Sequence, residues 1–144
     1  MTRNNETSYL EGKVRKWSLP VLAPPTDVTG PKRLRLPQGE LANFYDDPEG
    51  IRYIACIELR EGTIRGNHWH RIKEEQIYVI SGEVVLVARD GESGPQVSLG
   101  LRAGDRAVIV PGVIHALKTE REGHAIEFSE ARFDPSDIQR FKLL

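Results

Sequence analysis

From residue 39 onward, hydrophobic residues occur in short runs that turn signals interrupt. The runs are rich in β-branched side chains, and residues 96–101 alternate polar and apolar positions as a half-buried strand does. The pattern predicts strands at residues 51–60, 76–81, 83–88, 96–101, 107–110, 114–119 and 124–128. Because turn residues separate these runs throughout, the pattern favours an all-β sandwich or barrel.

The two ends of the chain do not show this pattern of short hydrophobic runs. Residues 1–38 contain the prolines Pro20, Pro24, Pro25, Pro31 and Pro37, with polar residues between them. Proline discourages helix, so residues 1–38 are predicted to be an extended N-terminal arm and residues 39–144 a single domain. At the other end, residues 135–141 form the one stretch with helical character, a short turn started by Asp134 or Ser136.

Composition narrows the class of protein. A chain of 144 residues with 39% hydrophobic and 28% charged residues has the make-up of one ordinary globular domain. The net charge is 20 − 21 = −1 and no basic block stands out, so no nucleic-acid partner is expected. The apolar runs are much shorter than a membrane span, so no membrane partner is expected either.

The expected compartment is the cytoplasm. The first residues contain no apolar segment of the kind that a secretory signal needs. Cys56 is the only cysteine, so it has no partner for an intrachain disulfide, as is usual in a reducing compartment. Because Cys56 lies in an apolar run, it is expected to be a buried thiol.

Three of the four histidines are placed as metal ligands would be. His68 and His70 are two residues apart, so on a strand they project from one face, with Trp69 on the other. A carboxylate follows at Glu74 or Glu75, and His115 comes from a separate predicted strand. Three imidazoles and a carboxylate suit a divalent transition metal with one or two open coordination positions. The remaining histidine, at position 124, is expected to be structural or exposed.

The first of these segments resembles a motif of the cupin superfamily. The motif runs Gly, five residues, His-x-His, three or four residues, Glu, six residues, Gly. Its positions are matched by Gly62, His68, His70, Glu75 and Gly82, with the four-residue spacing that selects Glu75 over Glu74.

The second segment resembles the other cupin motif. Gly104, Gly112 and His115 match it, whereas Val110 stands where the motif has Pro and Thr119 where it has Asn. The resemblance covers residues 62–119. It implies a double-stranded β-helix, also called a jelly roll, with one divalent metal per chain held inside by His68, His70, Glu75 and His115. Zinc, iron, manganese and nickel would all suit these ligands.

A narrower resemblance concerns the segment from Arg65 to His70. Arg-Gly-Asn-His-Trp-His is similar to a segment of the cupin domains in bacterial sugar-nucleotide epimerases and reductases. The phrase Glu-Ala-Arg-Phe-Asp-Pro that ends at Pro135 also resembles the end of those domains. Related deoxysugar epimerases and ketoisomerases share Arg-Gly-x-His but often work without metal. This chain keeps all four ligand positions, which favours a metal-dependent version.

The resemblance implies an isomerase or epimerase that acts on a sugar or sugar-nucleotide by metal-assisted enolisation. The residues considered for catalysis are Glu75, Tyr78 and Arg65, while Arg71 and Lys73 are expected to be solvated turn charges. Two alternatives share the ligand set: a non-haem dioxygenase with iron or nickel, and a cupin that binds a small metabolite without changing it. A homodimer is expected, since sheet-rich proteins often pair their edges.

Overall fold

The computed structural model describes residues 5–144. Its strands are β1 (Glu6–Tyr9), β2 (Val14–Ser18), β3 (Val21–Leu22), β4 (Lys32–Leu36), β5 (Gly39–Asn43), β6 (Tyr53–Leu59), β7 (Ile64–Trp69), β8 (Glu75–Asp90), β9 (Gln96–Arg102), β10 (Asp105–Ile109), β11 (Val113–Ser129) and β12 (Gln139–Arg140). The described part of the chain is therefore almost entirely β, as the pattern of hydrophobic residues predicts.

Nine strands form one continuous, strongly curved sheet. Its path runs β1-β2-β10-β8-β11-β7-β12, with β6 paired to β11 and β9 paired to β8. The long strands β8 and β11 form its centre and pair antiparallel over most of their length. This is the jelly roll that the resemblance to the cupin motifs implies. Strands β3, β4 and β5 form a second, smaller sheet.

The predicted break between residues 76–81 and 83–88 is not a break in the structure. Both runs belong to β8, which continues through the Ser81-Gly82 dipeptide and shifts register against β11 there. Gly82 has φ +87°, and a Cβ at this position would lie 2.5 Å from the carbonyl oxygen of Arg121. The glycine of the motif thus permits a close approach of two strands instead of ending one. Likewise, the runs 114–119 and 124–128 are parts of the single strand β11.

Each long strand presents one face to the inside of the jelly roll and one to the outside. Inward-facing apolar side chains of β8, β9 and β11, including Val79, Leu86 and Leu101, form the main core. Aromatic side chains on the other face, including Trp17, Tyr78 and Phe128, form a second cluster with Phe44 and Tyr45. The alternation of strand side chains therefore separates two buried regions.

The N-terminal part of the chain contributes strands of its own. β2 pairs antiparallel with β10 from the pair of Ser18 and Asp105 to the pair of Val14 and Ile109. Residues 14–18 therefore extend the main sheet. The predicted domain boundary at residue 38 stays a prediction, and residues 1–4 of the arm lie outside the described residues.

Two local expectations need correction. Helix does not extend over residues 135–141: a 3-10 helix covers only Pro135–Asp137, with Asp134 as its N-cap, and β12 follows. The chain becomes extended there because β12 pairs with the free edge of β7. Cys56 is exposed on β6 instead of buried, because the neighbouring Ala55 and Ile57 face the other way. Among residues 5–144, no helix has the length and hydropathy to cross a bilayer.

Candidate metal centre

A bulge in β7 aims the first two histidines inward. His115 on β11 pairs with His68, but the next residue, Ala116, pairs with Gly66, so Asn67 has no partner in the ladder. Gly66 and Asn67 have φ values of +90° and +55°. A Cβ on Gly66 would lie only 2.8 Å from the carbonyl oxygen of His115. The glycine before the bulge therefore allows the two histidine-bearing strands to meet.

Glu75 and His115 face the interior because they follow the alternation of their strands. Glu75 begins β8 and shares its face with Ile77 and Val79 of the main core. His115 lies in β11 between the buried residues Val113 and Leu117 of the same core. The site thus occupies one end of the apolar interior of the jelly roll.

The four predicted ligands meet at one point. One ligand atom from each of His68, His70, Glu75 and His115 lies within 4.8 Å of the others. Nε2 of His115 contacts Oε2 of Glu75, and Nε2 of His70 lies 3.8 Å from the same oxygen. His70, Glu75 and His115 are buried, and His68 is partly buried. The structure brings Glu75 to this point. Glu74 is not one of the four side chains, and the charged groups near it include Arg15 and Glu130.

Backbone carbonyl groups orient two of the imidazoles. Nδ1 of His70 lies 2.9 Å from the carbonyl oxygen of Asp137, and Nδ1 of His115 lies 3.0 Å from that of Val113. A carbonyl oxygen only accepts, so in each ring Nδ1 must donate the proton. The Nε2 atom of each ring then directs its lone pair at the centre, an arrangement typical of metal-binding histidines.

The unpaired atoms at the site fit a divalent metal. Among the described residues, neither ring nitrogen of His68 has a hydrogen-bond partner, and Nε2 of His70 has none either. Buried polar atoms without a partner are costly, so such atoms in one place indicate a group that binds them. Three imidazoles and one carboxylate are the ligand chemistry of zinc, iron, manganese and nickel.

Burial and neighbouring charges shift the pKa values of all four side chains at the site. Burial and the neighbouring His115 lower the pKa of His68 to about 4, and burial lowers the pKa of His70. Both rings are therefore neutral at pH 7, as metal ligation requires. Burial opposes charge on His115, but the Glu75 carboxylate outweighs it and raises the pKa of His115. The pKa of Glu75 is held well below its usual range, against burial, by His115.

Two polar residues lie beside the centre although the sequence analysis did not place them there. Glu127 on β11 hydrogen-bonds to Glu75, and burial, followed by this bond, raises its pKa to about 8. Lys73 was expected to be solvated but is buried, with Nζ 3.9 Å from Oε1 of Glu75 and 4.4 Å from the centre of the Tyr53 ring. No signal in the sequence marks either residue, because the apolar residues Ile126 and Phe128 alternate with Glu127 and would place it on the outer face of the predicted strand.

The other catalytic candidates lie away from the four ligands. Tyr78 is buried in the second cluster, where its ring stacks on Phe44 with 4.4 Å between ring centres. It faces away from the histidines because it lies one residue out of phase with Ile77. Arg65 is exposed and donates from Nη2 to the carbonyl oxygen of Glu58, although its charge reaches Glu127. The fourth histidine, His124, is exposed on β11.

Comparison with known proteins gives a clear result for structures only. The sequence matches no protein-family model and no curated protein. Solved structures do match. The dTDP-6-deoxy-D-glucose-3,5-epimerase RmlC of Legionella pneumophila, in complex with dTDP-4-keto-L-rhamnose, has a TM-score of 0.76 at 14% identity. That alignment covers 97% of this chain and 78% of the epimerase.

Two further structures give the same picture. The dTDP-4-dehydrorhamnose 3,5-epimerase of Sulfolobus tokodaii has a TM-score of 0.73 at 18% identity, covering 96% of this chain and 83% of its own. The QdtA 3,4-ketoisomerase of Thermoanaerobacterium thermosaccharolyticum, in complex with TDP, has a TM-score of 0.69 at 18% identity, covering 89% and 87%. The chain has the cupin fold. At these identities the likeness establishes the fold, which sugar-nucleotide epimerases and ketoisomerases share.

Proposed function

We propose that this cupin is an isomerase or epimerase of nucleotide-linked keto-sugars that holds one divalent metal at His68, His70, Glu75 and His115. The observation that carries the proposal is the convergence of these four side chains, with unpaired imidazole nitrogens, inside the jelly roll. Support for the substrate class comes from the similar structures, which are named as epimerases and ketoisomerases of dTDP-sugars.

The metal would supply Lewis acidity toward the carbonyl oxygen of a keto-sugar, which makes the neighbouring C–H bond more acidic. The chain supplies the remaining groups. Glu75 has one oxygen near His115 and the other near Lys73, so the Lys73 ammonium group holds the carboxylate in place. Glu127 contacts Glu75 from β11, and we assign to this pair of carboxyl groups the exchange of the proton next to the carbonyl.

Arg65 has a separate role in this proposal. Its side chain is exposed on β7, three residues before His68, and its charge reaches Glu127. An exposed guanidinium group on the strand that carries His68 suits the attraction of the diphosphate of a nucleotide-sugar. Tyr78 has no role in the proposal, because its ring is enclosed in the second cluster.

Hydrogen exchange in heavy water tests the proposal. The protein is incubated with dTDP-linked 4-keto-6-deoxy sugars, and proton NMR follows the signals of the carbons beside the carbonyl group. A 3,5-epimerase exchanges the hydrogens at C3 and C5, whereas a 3,4-ketoisomerase exchanges the one at C3. We expect exchange that chelation abolishes and that zinc, manganese or ferrous iron restores.

The matched variants are His115→Ala, which should lose exchange, and His124→Ala, which removes an exposed histidine from the same strand and should retain it. No exchange with any of these sugars would contradict the proposal. Oxygen consumption that depends on ferrous iron would indicate a dioxygenase instead, and a sugar that binds but stays unchanged would indicate a binding protein. The expected homodimer stays a prediction.

A further inference from the structure

The C-terminal segment, residues 134–144, lies along the free edge of β7 beside the metal centre. β12 pairs with β7 through Gln139 with Trp69 and Arg140 with His68. Beyond β12, the backbone N–H groups of Leu143 and Leu144 donate to Oδ1 of Asn67 at 2.8 and 3.0 Å. The segment is thus attached to the strand that carries His68.

One residue of this segment, Asp137, contacts both the imidazole of His70 and the loop after it. Its carbonyl oxygen accepts the Nδ1–H of His70 at 2.9 Å. Its carboxylate accepts the backbone N–H of Arg71 at 2.8 Å, of Ile72 at 3.2 Å and of Lys73 at 3.0 Å. Asp137 is only 8% exposed, so these bonds are shielded from water.

The position of this loop matters because it joins two of the four ligands. Residues 71–74 connect His70 to Glu75, so the conformation of these few residues decides how far apart the two ligands lie. Three successive N–H groups directed at one carboxylate form a strong, charge-assisted set of hydrogen bonds. Metal affinity depends on ligands that are held in place before the metal arrives.

We propose that Asp137 is a positioning residue of the metal centre: through its carbonyl group it fixes the tautomer and orientation of His70, and through its carboxylate it fixes the loop from His70 to Glu75. This inference rests on the metal site of the proposed function. It adds a requirement that neither cupin-like segment contains, because Asp137 lies 66 residues from Arg71 in the sequence.

The variant that tests it is Asp137→Asn. The amide retains one acceptor oxygen but turns an NH2 group toward N–H donors, so the loop loses part of its support. The matched control is Asp134→Asn, the same change in the same 3-10 turn. Asp134 accepts bonds from the backbone N–H and the hydroxyl of Ser136, and both bonds lie within the turn.

Two measurements decide the outcome. Competition with a chromophoric chelator gives the zinc affinity, which we expect to fall by roughly 10- to 100-fold in Asp137→Asn, the usual effect of losing an outer-shell partner, and to stay unchanged in Asp134→Asn. Nitrogen-15 NMR of the metal-free protein gives the tautomer of His70, which should carry its proton on Nδ1 in the wild type. Because Asp137→Asn keeps the backbone carbonyl group, the variant should keep this tautomer while its zinc affinity falls. A proton on Nε2 of wild-type His70 would overturn the role of the carbonyl group.

Several outcomes would overturn the proposal. Wild-type zinc affinity in Asp137→Asn would do so, and so would equal weakening in Asp134→Asn, which would indicate general loosening of the turn. If Asp137→Asn does not fold, Asp137→Glu decides, since it keeps the charge but displaces it. An unchanged zinc affinity in that variant would contradict the proposal, and a lower affinity would support it. If the wild type binds no zinc, the metal site fails, while the His70 tautomer still tests Asp137.

Discussion

Two neighbouring residues at the start of β8 belong to two different buried polar clusters. The polar groups of one cluster have hydrogen-bond partners, and several nitrogens of the other have none among the described residues. Glu75 points into the jelly roll toward the three histidines, and Gln76 points to the opposite face toward the buried side chain of Arg106. Around Arg106, Nε donates to Gln76, Nη1 to the carbonyl oxygen of Phe44 and Nη2 to Asp47, each at 3.0 Å. The guanidinium plane is also flanked by aromatic rings, those of Trp17, Tyr45 and Phe128.

The comparison shows how a structural polar cluster differs from a binding site. The Arg106 guanidinium group is held by acceptors on several sides, so folding alone accounts for it. At the candidate metal centre, the nitrogens of His68 and Nε2 of His70 have no such partner among the described residues. Burial and charge alone therefore do not identify a site in this protein. Buried nitrogens without a hydrogen-bond partner among the described residues are what distinguish the candidate site.

The largest effect on stability is expected at the Arg106 cluster. Arg106→Met removes the buried guanidinium group that contacts Gln76, Asp47 and the carbonyl group of Phe44, which should destabilise the fold by roughly 3–5 kcal/mol. Urea unfolding followed by circular dichroism measures this loss. The folded fraction should still bind one zinc per chain. A loss below about 1 kcal/mol would mean that this cluster is not the structural element described here.

The second largest effect on stability is expected at the candidate metal centre, and it should be measurable only when zinc is present. His115→Ala should bind no stoichiometric zinc, because the site loses one of four ligands. For the wild type, zinc at about 100 times its Kd should raise the free energy of unfolding by roughly 2.7 kcal/mol, and this gain should vanish in the variant.

The control for that comparison is His124→Ala, which should keep both the zinc and the gain in stability, since His124 is exposed outside the centre. Elemental analysis and thermal unfolding with and without zinc provide the readouts. Equal metal content in His115→Ala and the wild type would contradict the proposal that these four residues bind the metal.

The smallest effect is expected for Tyr78→Phe. The ring remains stacked on Phe44 and only the hydroxyl group is lost, so the change in unfolding free energy should not exceed about 1 kcal/mol. Hydrogen exchange into the keto-sugar should be unchanged, because Tyr78 belongs to the cluster opposite the ligands. A large loss of hydrogen exchange with normal stability would indicate that Tyr78 takes part in catalysis.

Much of the fold follows from local pattern. The alternation in residues 96–101 corresponds to β9, and the strand predicted over residues 51–60 corresponds to β6. The spacing that selects Glu75 over Glu74 also agrees with the residue that contacts His115. The strands were predictable because a strand repeats every two residues, so the order of side chains along the chain tells which of them share a face. The choice of Glu75 was implied by the resemblance to the cupin motif.

Other features depend on pairing between distant segments and have no local signature. Gly82 looks like a turn residue, and only the approach of β11 shows that it lies inside β8. The buried position of Lys73 follows from contacts with Tyr53 and Glu75, and the 3-10 turn gives way to β12 because β7 has a free edge.

The short-range spacing of the sequence thus determined an all-β sandwich or barrel and a set of three histidines with a nearby carboxylate. Its resemblance to the cupin motifs implied the jelly roll and the choice of Glu75. Only the tertiary structure decided that Glu127 and Lys73 flank Glu75, that Tyr78 faces the opposite cluster, and that Asp137 holds His70. Those relations arise where strands far apart in the chain meet, and burial then determines which polar groups find partners.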